Sequence, residues 1–578
     1  MCREPVPPAR VVVVVSLLVA LAGAAACAPN PDVGLARGRA TIEALGETIG
    51  SRPIGSPADG RARDYVVAAL GAAGFVVRVQ ETEAVAPAAG LTTHVANVIA
   101  TREGDDPSAI ALVAHYDSVA DGPGAQDDAL GVATILEAAR QLALGSLHHS
   151  LMVLVTDGEE VGLMGARGLV TDPAVAGRVR AFLNFDSTGG TGPPVLFQAG
   201  PGRGDTLEAW AHGASSPFGG SFGVEIYKRL PNDTDFTILS RTGASGLNFA
   251  PVGNSYVYHT DRDRPAGVAD STVAREIANT VGIVRALDRT ALGRVDDEPT
   301  FFDLGEQVGL VYSLRTARML GGGACLVALL AWLLMTRRLL AEGLGALLRT
   351  AGRAVLVLGF SVAAMTAGAA ILRAVRHDPT PWYASPNWTF GLLSALGCLV
   401  VWTVGRFSPE GPPRPSPLSV WWAVLPVWLA LGIFLLIGAP AASYLVTIPL
   451  GTVGLLLALD RSERWLRLVS AAMTLVVWLL WAMNVFTLLQ FLVPMLGWLP
   501  IITPVWLYPA VLTLGGLMLV PPWIALTTGT AVFRRVARPV GVVWVILVAS
   551  CGAGAFAAPV YTEDRPARRA VRYVEDDV

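Results

Sequence analysis

Residues 111–142 read ALVAHYDSVADGPGAQDDALGVATILEAARQL, and residues 151–160 read LMVLVTDGEE. Two apolar runs here, Ile110–Ala114 and Leu151–Thr156, have the length and composition of buried parallel strands. Between them Ala129–Leu144 has helical spacing, with Asp127 and Asp128 where an N-cap belongs. The order is strand, loop, helix, strand, and each strand empties straight into acidic and histidine residues. In open α/β sheets ligands bind outside the carboxyl ends of the strands. The sequence therefore predicts a doubly wound α/β domain with a mixed sheet and its chemistry at that edge.

Taken singly, these residues have plain readings. His115 is an ordinary polar residue near a strand end, Asp127-Asp128 a helix cap, and Glu159-Glu160 a solvated turn. Their conjunction points elsewhere. His115, Asp127, Glu160, Asp186 (after the apolar run Ala181–Phe185) and His259 (in SYVYHTD) are oxygen and nitrogen ligands suited to zinc, gathered at neighbouring strand ends. One carboxylate shared by two metals, with one carboxylate and one histidine for each, makes a two-metal hydrolytic site. There a bridging water is acidified and the substrate carbonyl polarised. Glu159 is left as general base. Asp117, two residues beyond His115 on the same face of an extended segment, is placed to accept the imidazole N–H.

At these positions the chain resembles the di-zinc aminopeptidase family, and within it the membrane-embedded endoplasmic-reticulum metallopeptidase and vacuolar membrane protease branch. The resemblance is carried by HYDSVADGPGAQDD, TDGEEVGLMGARGLV, NFDSTGG, LPNDTDF and SYVYHTD, which span most of Ser51–Asp261 in the family's order. It implies two zinc ions bridged by Asp127, one held by His115 and Asp186, the other by Glu160 and His259. It further implies Glu159 as base and then acid, Asp117 orienting His115, and a cis peptide between Asp127 and Asp128. Tyr258 matches a position where relatives place a hydroxyl near the developing oxyanion; a packed strand-end tyrosine is the other reading. SRPIGSP at Ser51–Pro57 resembles a segment near the entrance to the site and is otherwise a turn. In NDTDF, Asp233 and Asp235 are either within reach of a substrate's amino end or part of a capped turn.

The whole chain has 578 residues, of which 53% are hydrophobic and 15% charged. With a mean hydropathy of +0.51 it is too apolar for a soluble enzyme. The net charge of −3 argues against a nucleic-acid partner. Lys228 is the only lysine, an arginine bias that fits a high-GC bacterial host. Cys2, Cys27, Cys325, Cys398 and Cys551 all fall outside the predicted peptidase domain, so no disulfide framework holds it and none is a zinc ligand.

Five segments follow: 1–35, 36–293, 294–318, 319–558 and 559–578. In the first, Arg3 and Arg10 precede the apolar run Val11–Ala26, which fits a cleaved signal peptide, with a weak lipidation match at Cys27, or an uncleaved transmembrane anchor; the resemblance favours the anchor. Residues 36–293 are the α/β domain, with helices predicted at Gly60–Ala72, Gly204–His212 and Ala266–Leu287 and strands at Phe75–Val79 and Ala96–Ala100. Residues 294–318 form a connector, half-amphipathic and suited to the membrane surface. Residues 319–558 hold about eight apolar runs of spanning length. They are near 319–335, 354–372, 388–404, 418–438, 441–459, 468–489, 505–527 and 540–558. Arginines at 337, 338, 349, 406, 414, 461, 464, 467, 534, 535 and 538 then fall in cytoplasmic loops, which puts the catalytic domain and the tail 559–578 outside; Arg373 and Arg376 run against that rule. Residues 485–502 read as part of a long hairpin or a re-entrant segment. No Asp, Glu, Lys or Arg sits in the span cores, which disfavours a coupled transporter. Gln490 and Asn484 suit bonds between helices, and the stretch 492–509, with Trp498 and Trp506, suits broken helices.

Three functions compete: a membrane-anchored zinc exopeptidase of aminopeptidase type, a single-zinc glutaminyl-cyclase-like acyltransferase, and an inert receptor or scaffold. The second and third predict a damaged ligand set, and all five ligands and the base are present. The partners implied are a peptide substrate and the lipid bilayer. Oligomeric state and residue preference are not legible.

Overall fold

The computed structural model describes residues 34–86, 90–200, 204–230, 232–293, 299–340, 343–406, 417–459, 462–477, 480–481, 484 and 531–567. The N-terminal apolar run with Cys2 and Cys27, the stretches 485–502 and 505–527, Gln490, Trp498 and Trp506 all lie outside them.

Seven strands build one mixed sheet: β1 (Val76–Ala86), β2 (Leu91–Arg102), β3 (Asp106–His115), β4 (His149–Thr156), β5 (Val179–Phe185), β6 (Val195–Ala199) and β7 (Ser245–Ala250). Their spatial order is β1-β2-β4-β3-β5-β7-β6. The central four run parallel, and β1, β2 and β6 complete the edges antiparallel. The two apolar runs that opened the sequence are β3 and β4, paired from Ile110↔Leu151 to His115↔Thr156.

Because strand side chains alternate, each run feeds two cores. Ile110, Leu112, Ala114, Leu151, Val153 and Val155 face one layer with the helices Pro57–Ala72, Gly131–Leu142 and Asp270–Leu287. Ala111, Val113, Met152 and Leu154 face the other, against Leu169, Val175, Phe236 and Leu239. Each buried Leu, Val or Ile contributes roughly 1.5–3 kcal/mol. Residues that read as a continuous apolar run are thus covered by helices on both sides.

The helices Pro57–Ala72, Gly204–Gly213 and Asp270–Leu287 lie where helices were expected. β1 and β2 run several residues beyond the predicted cores as a long antiparallel pair. The connector is built around a hairpin. A second, two-stranded sheet forms here from β8 (Pro299–Leu304) and β9 (Val308–Ser313), which the sequence reading did not foresee. Its turn places Gly305 and Glu306 at φ of 62° and 60°, the left-handed conformation hairpin turns require. Successive side chains of β8 point opposite ways: Phe301 meets Trp210 of the α/β domain edge-on at 5.3 Å, and Phe302 stacks on Tyr444 of the helical half at 4.4 Å.

The residue after β9 opens the helix Leu314–Leu340, followed by Leu344–Arg376, Pro386–Arg406, Pro417–Gly438, Tyr444–Leu459, Glu463–Val477 and Ala531–Ala557. The predicted spans from 319–335 to 441–459, and 540–558, fall on these helices; 468–489 begins on Glu463–Val477. By length and composition, Leu314–Leu340, Leu347–Arg376, Leu418–Gly438 and Pro539–Ala557 are able to cross a membrane.

Candidate metal centre

The chain winds from β3 to β4 on one side and then crosses to β5 on the other, so the crevice between β3 and β5 is the sheet's topological switch point. His115 ends β3 and Asp186 follows β5, on the two banks of that crevice. After β4 the chain turns through Gly158, at φ 68°, into a short 3₁₀ turn, Glu159–Val161. The Asp117 carboxylate accepts the backbone N–H groups of Glu159 (3.1 Å) and Glu160 (3.3 Å) and lies 3.4 Å from His115 Nδ1. Asp117 therefore positions the acidic turn as well as the histidine.

Asp128 Oδ1 accepts the N–H of Gly131 at the start of its helix (3.1 Å), which leaves Asp127 to face the crevice. The peptide between them is cis. Asp127 Oδ1 lies 3.1 Å from His115 Nε2, and its Oδ2 lies 3.1 Å from His259 Nε2. His259 Nε2 is also 3.0 Å from Glu160 Oε2. Donor atoms of His115, Glu159 and Asp186 converge within 4.8 Å, as do those of Asp127, Glu160 and His259.

Burial alone would discharge both imidazoles. The carboxylates of Asp117 and Asp127 around His115, and of Asp127 and Glu160 around His259, reverse this and hold His259 at about 10. Burial pushes Asp186 and Glu159 far above the carboxylate range, and Glu160 to about 7. Glu160 Oε1 is buried without a hydrogen-bond partner. So many acids packed around two histidines demand either protons or metal cations, and the N/O donor set fits zinc.

A cavity of about 490 Å³ opens from this cluster. Glu159, Glu160, Asp186, Tyr258 and His259 line one end; Phe197, Phe218, Phe222, Ile226 and Leu230 form apolar walls; Asn484 of the helical half also borders it. Tyr258 stacks on His259 with ring centroids 3.8 Å apart. Of the two acids in NDTDF, Asp233 lines the cavity. Asp235 instead turns inward, 2% exposed, to accept the Thr156 hydroxyl.

Two supporting residues escaped the sequence reading. Arg52, in the turn-like SRPIGSP, is fully buried and donates to the carbonyls of Tyr116, Pro123 and Gly124. Asp263 accepts the backbone N–H groups of Gln126 (2.7 Å) and Asp127 (3.2 Å). An arginine among turn residues and an acid in the charged run TDRDR carry no periodic signal of burial; only the fold reveals it.

Residues 97–283 match the model for peptidase family M28. Endoplasmic reticulum metallopeptidase 1 of Homo sapiens is 32% identical over 201 residues, 34% of this chain and 22% of the relative. The vacuolar membrane protease of Schizosaccharomyces pombe is 31% identical over 173 residues, 29% of this chain and 20% of the relative. The chain thus matches about a fifth of the length of each of these relatives. Among solved structures, a zinc aminopeptidase from Bacillus subtilis aligns over 45% of this chain and 98% of its own, at 14% identity and a TM-score of 0.36; glutaminyl cyclases align on similar terms. The chain carries a peptidase family M28 domain over residues 97–283, followed by a helical region with several apolar helices able to span a membrane.

Proposed function

We propose that this chain is a membrane-anchored zinc aminopeptidase, with its α/β domain outside the cytoplasm, that releases N-terminal residues with large apolar side chains. The observation that carries the reading is Asp127, whose two oxygens each face a different histidine, with Asp186 and Glu159 gathered at His115 and Glu160 at His259. His115 and Asp186 would hold one zinc, Glu160 and His259 a second, with Asp127 between them. When bound, zinc supplies Lewis acidity that polarises a carbonyl and lowers the pKa of water.

The chain's own residues do the rest. Glu159 lies among the donor atoms of His115 and Asp186, on a turn fixed by Asp117. It takes the proton from the attacking water and returns it to the leaving amine. Tyr258, on the cavity wall, donates to the developing oxyanion. Asp233 meets the substrate's ammonium, and the phenylalanine-rich wall takes the first side chain. The extracytoplasmic placement is supported by Arg337 and Arg338, which end the helix Leu314–Leu340 at the end away from the α/β domain. A single-zinc cyclase or an inert scaffold leaves unexplained why both donor sets are complete.

The test uses the full chain in detergent: count bound zinc and follow amino-acid release from free and N-blocked peptides, beside Glu159→Gln. About two zincs per chain are expected, with release from free N-termini only and activity lost by at least a hundredfold in the variant while metal is kept. Equal turnover of blocked peptides overturns the aminopeptidase assignment, and absence of metal after reconstitution overturns the whole reading.

A further inference from the structure

The loop that brings Tyr258 and His259 to the site has an unusual backbone. Asn254 and His259 both occupy the left-handed region, at φ of 66° and 58°, with the 3₁₀ turn Ser255–Val257 between them. Asparagine and histidine enter this region more readily than most side chains, and the surroundings hold them there. Local bonds supply part of the restraint, as the Thr260 and Ser255 hydroxyls donate to the carbonyls of Val257 and Val252. Further contacts come from the membrane half.

Tyr256, at the middle of this loop, leaves the α/β domain and plugs into a pad made from two membrane-domain segments. Its hydroxyl donates to the carbonyl of Tyr383 (2.8 Å), and the two rings meet edge-on at 5.1 Å. The ring joins an apolar cluster with Leu372, Trp382, Leu393 and Ala555. From the far side the Arg565 guanidinium lies 4.3 Å from the ring centroid and donates to the carbonyl of Ala384. The pad is itself knitted together. Ala384 N–H donates to Val560 O (3.0 Å), Tyr561 Oη donates to Asp378 (2.8 Å), and Arg376 caps the carbonyls of Phe556 and Ala558. Arg373 and Arg376, which break the charge rule, are therefore structural: Arg373 packs on the Trp382 ring at 4.9 Å.

We propose that the 378–385 loop and the segment 558–565 are a positioning brace for the His259 loop, so that the membrane half helps to build the metal site. Tyr256 and Arg565 are its positioning residues; they act through His259 and Tyr258 and touch no substrate. This rests on the zinc reading of the site given above.

The experiment measures zinc retention by the full chain in detergent against a graded chelator, together with kcat and KM on an apolar peptide. Arg565→Ala, Tyr256→Ala and the conservative Arg565→Lys are compared with the parent. The two alanine variants are expected to release one zinc equivalent at about tenfold lower chelator than the parent while the other is held as before. In them kcat falls with KM largely kept, and Arg565→Lys, which keeps a cation over the ring, restores both. Should Tyr256→Ala fail to fold, the half-exposed Arg565 pair decides the matter alone. Parent-like retention and kcat in Arg565→Ala overturn the brace. A parent that takes up no zinc overturns the metallopeptidase reading instead.

Discussion

Replacing Arg52 by Met tests whether the metal centre depends on a residue that never reaches it. The guanidinium is fully buried and donates to the carbonyls of Tyr116, Pro123 and Gly124, with Leu45 and Gly50 at 3.4 Å. It thereby ties the loop between His115 and Asp127 to the N-terminal turn. Burial draws its pKa down, and the acids Asp117, Asp263, Asp128 and Asp127 oppose that shift and keep it charged. Each bond from a charged donor is worth about 1.5–3 kcal/mol, and Met leaves the carbonyls buried without partners. Losing the desolvation penalty of the cation offsets part of this, so the net cost is about 3–5 kcal/mol, as for other broken buried ionic contacts. For a domain of this size that is a fall in Tm of roughly 6–20 °C. Thermal unfolding of the full chain in detergent, with and without zinc, measures it. A fall under about 2 °C with unchanged zinc retention would refute the clamp.

Three other expectations follow from the same structure. Glu276 is buried, its carboxyl pushed up to about 8 from 4.5 by desolvation, and accepts the Thr134 hydroxyl. The folded state favours its neutral form, so that stability is present below about pH 4.5 and lost as pH rises towards 8. Glu276→Gln should therefore gain stability over the parent as pH rises from 5 to 8, by up to about 3–5 kcal/mol, and a pH-independent difference in Tm contradicts this. A Cβ on Gly165 would sit 2.3 Å from the backbone oxygen of Asp157, so Gly165→Ala should cost about 1–3 kcal/mol and displace the Glu159 turn, read as lower Tm and lower activity together. Metal removal should destabilise the domain through repulsion among the site's acids. Zinc restored at about a hundred times its Kd should return about 2.7 kcal/mol per site, and a Tm indifferent to chelator argues against bound metal.

β3 and β4 were legible because both of their faces are buried, which leaves an unbroken apolar run ending in polar ligands. His115, Asp127, Glu159, Glu160, Asp186 and His259 were legible as a set because hydrolytic chemistry needs those residue types together, and the fold does bring them into one crevice. Other parts were silent for physical reasons. β6 and β7 are short and gain their strand character from neighbours, as at Gly246, whose missing side chain admits the Phe182 ring. The connector reads as half-amphipathic, and its hairpin goes unread although FFDL and VGLVYS lie on either side of a turn at Gly305. Arg52, Asp263 and Tyr256 act through burial against distant segments, which no local pattern records.

The hairpin has one more consequence. β9 ends at Ser313 and the apolar helix Leu314–Leu340 begins at the next residue, so no slack lies between them. Phe301 and Phe302 pin the hairpin from opposite faces to the two halves of the molecule. A unit mounted in this way cannot reach out on a leash; under the aminopeptidase proposal, substrates must travel to it. For a chain end confined to the same bilayer the search is two-dimensional, and confinement raises its effective concentration as a short tether does. A free chain end from bulk solution has no such advantage. Lengthening the junction at residue 313 with glycine and serine should erode that difference, and should loosen the His259 loop wherever Tyr256 leaves its seat.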